Sequence, residues 1–94
     1  MARRRYLIAY DIADPIRLRH VCRAMKGYSD RLQYSVFVCD LSPSELLHAR
    51  LAVEQIMIMT EDSVVIVDLG NCDAARFEFI GKRRPLPQSH TVVI

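Results

Sequence analysis

"YLIAYDIADP", running from Tyr6 to Pro15, decides the fold. The nearly continuous apolar run between Arg5 and Asp11, rich in β-favouring Tyr, Leu and Ile, predicts a strand that is central in a sheet or covered on both faces. Asp14 then supplies an N-cap, and Pro15 falls at the first helical position. Leu18, Val21, Cys22 and Met25 recur at the spacing of one helix face, so a first helix is expected from about Pro15 to Lys26, ended by Gly27. Arg17, Arg19, His20, Arg23 and Lys26 lie on its other flank and turn a basic side to solvent. The strand itself ends on a lone carboxylate, Asp11, beside that helix N-terminus.

Working outward, "RLQYSVFVCD" (Arg31 to Asp40) is again β-rich, with Leu32, Tyr34, Val36 and Val38 on one parity and Phe37 and Cys39 on the other. It fits either one bulged strand or two short strands folded as a hairpin. Ser42, Pro43 and Glu45 form a capping-box pattern opening a second helix, whose apolar side from Leu46 predicts an end near Met57. "DSVVIVDL", Asp62 to Leu69, reads as the most clearly buried strand. A further short strand is expected near residues 75–81, and "TVVI" at the end reads as another. The order β, α, β or ββ, α, β predicts an α+β fold, a ferredoxin-like βαββαβ sandwich, over residues 1–81. Residues 82–94 are expected to be a basic link and a C-terminal strand that pairs with a partner protomer.

With 94 residues, 51% of them hydrophobic, the chain can form one small core with little room for a deep substrate cavity. So small a domain is expected to gain from burying surface against a second copy, and a homodimer is predicted. Thirteen Lys and Arg against eleven Asp and Glu leave a net charge of +2, too little by itself to require nucleic acid. The arginines cluster, however, at Arg3–Arg5, along Arg17, Arg19 and Arg23, and at Lys82–Arg84, and three such clusters could present one face to a phosphate backbone. Cys22, Cys39 and Cys72 are odd in number and widely spaced, which predicts reduced thiols rather than a disulfide framework or a zinc site. No signal peptide or membrane-length apolar stretch is read at either end or between, so a cytoplasmic protein without membrane contact is expected.

Asp11 admits two readings. A carboxylate at a strand end often only caps a turn. Alternatively, a twofold axis passing nearby would set two copies of Asp11 face to face, and a Mg²⁺ ion, which takes few protein carboxylates and keeps its waters, would suit that pair. Such an ion could polarise a phosphoryl oxygen or activate water against a phosphodiester. Arg17, Arg19 and Arg31 could then hold phosphate oxygens through forked donors. Phe37 could stack on a base or pack in the core.

"YLIAYDIADP", "RLQYSVFVCDLSPSEL" and "EDSVVIVDL", in this order and spacing, resemble the smaller of the two core CRISPR adaptation proteins, a family of small ferredoxin-like CRISPR-associated endonucleases. The resemblance covers nearly the whole chain. It implies a homodimer working in spacer acquisition, bound to the integrase partner and to DNA. It also implies metal-dependent cleavage of RNA or double-stranded DNA, with Mg²⁺ or Mn²⁺ shared by the Asp11 residues of two protomers. Carried over, Asp11 is the catalytic and metal position, accompanied by Tyr10, Arg17, Arg19, Arg31 and Phe37. One departure is Val38, where many members carry a glutamate. The competing expectation is a non-catalytic DNA-binding scaffold. A single-stranded RNA-binding sheet is disfavoured, because the third-strand region "VVIV" is aliphatic and lacks the glycine-and-aromatic signature of that module.

Overall fold

Four strands and two helices follow one another as β1 (Arg4–Asp11), α1 (Pro15–Lys26), β2 (Asp30–Gln33), β3 (Val36–Leu41), α2 (Pro43–Glu54) and β4 (Ser63–Asn71). The structure is a computed structural model that describes residues 3–26, 30–33, 36–72 and 76–82. The strands form one sheet in the order β2-β3-β1-β4, with β1 antiparallel to both β3 and β4 and β2 antiparallel to β3. Two βαβ units interleaved in this way make a ferredoxin-like α+β fold. The Arg31–Asp40 segment is thus two strands, with a register shift between Arg31 and Gln33.

Both helices start where their caps predict. The Asp14 carboxylate accepts from the Arg17 amide at 2.9 Å. At α2 the capping box is complete: Ser42 Oγ accepts from the Glu45 amide, and the Glu45 carboxylate accepts from the Ser42 amide at 2.9 Å. The second helix stops at Glu54, three residues short of the expected Met57. Its end tightens into a turn in which the Ile56 and Met57 amides both donate to the Val53 carbonyl at 3.0 Å.

Strand alternation divides the sheet into two faces. On the helix-covered face Tyr6, Ile8 and Tyr10 of β1 meet Phe37 and Cys39 of β3 beneath Val21, Met25, Ala49 and Val53, all buried. Register partners on the other face are Leu7 with Val38 and Val67, Ala9 with Val36 and Val65, and Asp11 with Ser63. Among the described residues no helix covers this second face.

β4 forms, but the expectation that it is buried does not hold within a single chain. Val65 is 54% exposed, Ile66 37% and Val67 41%. Among the described residues the strand lies at the sheet edge with no helix over its outward face, and on its inward side α2 leaves a groove of about 560 Å³. The short strand expected at 75–81 is also absent from the described residues 76–82, which take no strand conformation. Phe77 and Phe79 alternate with exposed neighbours there, yet without a pairing strand the alternation alone does not make a ladder. The terminal strand, and Arg83 and Arg84 of the basic link, lie outside the described residues.

Candidate functional site

Asp11 is the last residue of β1 and is exposed, on the open face of the sheet. Its carboxylate makes no hydrogen bond or ion pair with another described residue. Its neighbours are anchored. Tyr10 is buried at 5% exposure and stacks on Phe37, ring centroids 5.8 Å apart, with its hydroxyl 3.1 Å from Cys22 Sγ. Ile12 is buried at 8%. Asp11 is therefore the polar tip of a strand whose flanking side chains point into the core.

Of the accompanying positions, two are core residues. Phe37 has no exposed surface and Tyr10 nearly none, so neither ring can stack on a base without unpacking the molecule. Arg17 is committed to acids: its Nε donates to Asp62 Oδ2 at 2.9 Å, and its Nη2 donates to Asp62 Oδ1 and Glu61 Oε1, each at 3.1 Å. Arg19 is exposed on α1, with His20 and Arg23 beside it. Arg31 lies in β2, in register with Phe37.

The Arg3–Arg5 cluster does not form a free basic face. Arg3 pairs with Glu45 at 2.8 Å, Arg4 with Asp68 at 3.0 Å, and Arg5 with Asp40. The last pair is buried and doubly bonded, Nε to Oδ1 at 2.8 Å and Nη2 to Oδ2 at 3.0 Å. The exposed flank of α1 is what remains of the basic surface expected from these two clusters.

Sequence reading passed over Asp62. Its side chain is fully buried, and besides Arg17 it accepts from the Ala13 amide at 2.9 Å and the Ile58 amide at 2.8 Å. The Arg17 guanidinium, ahead of these two amides, holds its carboxyl well below the usual carboxylate range against the opposing effect of burial. The available signal was a carboxylate one serine ahead of the apolar run Val64–Val67, which is a weak one.

Among the described residues no three His, Cys, Asp or Glu side chains gather as metal ligands. Asp11 nevertheless suits a hard cation, being an exposed carboxylate with no competing described partner, and a second copy would double the donors. No helix among the described residues is long and apolar enough to cross a membrane.

A split-βαβ sheet with one face free of described helices and a solitary acid at the end of its first strand defines a small ferredoxin-like α+β protein. The profile of the CRISPR associated protein Cas2 family matches residues 4–76, and the chain belongs to that family. A CRISPR-associated endonuclease Cas2 from Thermus thermophilus is 31% identical over 94 residues, 100% of this chain and 99% of that one. A CRISPR-associated endoribonuclease Cas2 from Rhodospirillum rubrum is 42% identical over 65 residues, 69% of this chain and 64% of its own. The chain thus spans just under two thirds of the Rhodospirillum protein. Among solved structures, Streptococcus pyogenes Cas2 superposes with a TM-score of 0.74 at 33% identity, covering 82% of this chain and 99% of that one. A hypothetical protein from Thermus thermophilus superposes at 0.80 with 31% identity, over 93% and 100% of the two chains.

Proposed function

We propose that this chain acts in CRISPR spacer acquisition as a homodimer bound to the integrase and to DNA, and that the dimer is a Mg²⁺-dependent endonuclease on RNA or double-stranded DNA. The observation that carries the reading is the position of Asp11: an exposed carboxylate without a described partner, on the apolar face of the sheet that no described helix covers. Packing two copies through Leu7, Ala9, Val65 and Val67 would bury that apolar surface, and the strand-end acids share the same face. Family membership and the nuclease names of the relatives support the same reading.

The roles then divide among the residues. The Asp11 carboxylates of both protomers would hold Mg²⁺, with Mn²⁺ as a substitute, and the metal would supply a polarised phosphoryl oxygen and a more acidic bound water. Arg19, exposed on α1, would offer forked donors to the phosphate backbone. Tyr10 and Ile12 keep the strand end in place from beneath. The scaffold reading, DNA binding without cleavage, draws on the burial of Tyr10 and Phe37 and on the engagement of Arg17, which leave a single acid, Asp11, for chemistry.

Cleavage of duplex DNA and single-stranded RNA, measured with and without Mg²⁺, tests the nuclease. Wild type should cut only with the metal, and Asp11→Asn should fold and dimerise but lose cleavage. Equal cleavage by both proteins would remove the assignment; no cleavage by either, with spacer acquisition intact in Asp11→Asn, would favour the scaffold.

A further inference from the structure

The clasp between the start of α1 and the loop before β4 has so far no function beyond structure. Asp62 gathers four donor contacts on one fully buried carboxylate: the Ala13 and Ile58 amides, and Nε and Nη2 of Arg17. Ala13 is two residues beyond Asp11. Asp62 itself immediately precedes Ser63, the register partner of Asp11 on β4. The clasp thus closes around the strand end from both sides, tying the exit of β1 to the entrance of β4.

Arg17 stands between two carboxylates, and its side chain is only 19% exposed. The trio Arg17, Asp62 and Glu61 carries a net negative charge, which disfavours the approach of a phosphate. Its fork is engaged by the geometry that would otherwise grip a phosphate.

We propose that Arg17 is a positioning residue, which fixes Asp11 through the Asp62 carboxylate and the Ala13 amide, and that it does not bind nucleic-acid phosphate. The proposal deepens the nuclease reading and rests on it for the role of Asp11. A phosphate ligand and a positioning residue differ in what their loss changes. Losing a phosphate contact weakens binding and lowers the salt dependence of duplex-DNA affinity by about 0.9 in log–log slope. Losing a clasp lets the metal-binding carboxylate wander, which lowers turnover and metal affinity and leaves the salt slope as it was.

The experiment compares wild type, Arg17→Gln, Arg17→Lys, Asp62→Asn and the Arg17→Gln/Asp62→Asn double variant, each shown to be folded by circular dichroism. It reads the salt slope of duplex-DNA binding, Mn²⁺ affinity by electron paramagnetic resonance, and kcat and KM for cleavage. Expected results are an unchanged slope in every variant, weaker Mn²⁺ binding, and a fall in kcat of about tenfold to a hundredfold at nearly constant KM. The double variant should be no worse than either single one, because both break the same unit. Arg17→Lys keeps the charge but loses the fork, so it should share the Mn²⁺ defect, and it preserves the test should Arg17→Gln fail to fold. A slope reduced by about 0.9 per chain in Arg17→Gln, with Mn²⁺ affinity intact, would overturn the proposal. Wild type that neither binds Mn²⁺ nor cleaves would remove the nuclease reading instead, and the slope would still decide whether Arg17 touches phosphate.

Discussion

The two faces of the sheet are built from the same strands, but among the described residues only one is covered by helices. Beneath the helices Tyr6, Ile8, Tyr10 and Phe37 are all buried at 7% exposure or less. On the open face Val65 and Val67 remain about half exposed, though their β1 partners Ala9 and Leu7 are as apolar as anything in the core. The helix-covered face makes the fold, and the other face, with Asp11 at its margin, is where the proposed dimer would bury surface. Stability and function are therefore separable by substitution.

The largest effect should come from the covered face. Phe37→Ala removes a fully buried ring from the middle of the core and should cost about 3–5 kcal/mol in urea unfolding. A loss below about 1 kcal/mol would mean that the ring is not the packed centre the structure shows. Next comes the open face. Val67→Asp places a charge where the proposed partner sits, and should convert a dimer into a folded monomer in sedimentation equilibrium; a dimer that persists would move the interface elsewhere. Both changes together test whether the two faces act independently.

The smallest effect concerns acid. The folded-state carboxyl of Asp62 is held below its unfolded value, near 4, chiefly by Arg17. Its contribution is thus complete above that unfolded value and is lost as pH falls toward the folded one. Thermal unfolding between pH 5 and pH 2 should show wild type losing stability more steeply than Asp62→Asn, which starts lower. Parallel pH profiles for the two proteins would contradict the pairing.

Local chemistry made much of this architecture legible. Asp14-Pro15 and the Ser42-Pro43-Ser44-Glu45 box mark helix starts because capping is settled within four residues. The β1 run and the Asp11 strand end were equally visible. Charge pairing was not, because the partners of Arg4 and Arg5 lie 64 and 35 residues away along the chain. A run of three arginines reads as a basic face until the fold brings Glu45, Asp68 and Asp40 to it. Asp62 was missed for the same reason, since its importance lies in contacts with Ala13 and Arg17, 49 and 45 residues distant. Phe37 illustrates the converse case. Its parity in the strand allowed both a core and a surface role, and only the helix layer above it decides for the core.

The central claim is that two strand-end carboxylates, one from each chain, hold a single metal ion. Counting Mn²⁺ bound per chain in a calorimetric titration, with Asp11→Asn alongside, tests it most directly. The account predicts one ion for every two chains and none in the variant. One ion per chain, or binding that survives the substitution, would contradict it.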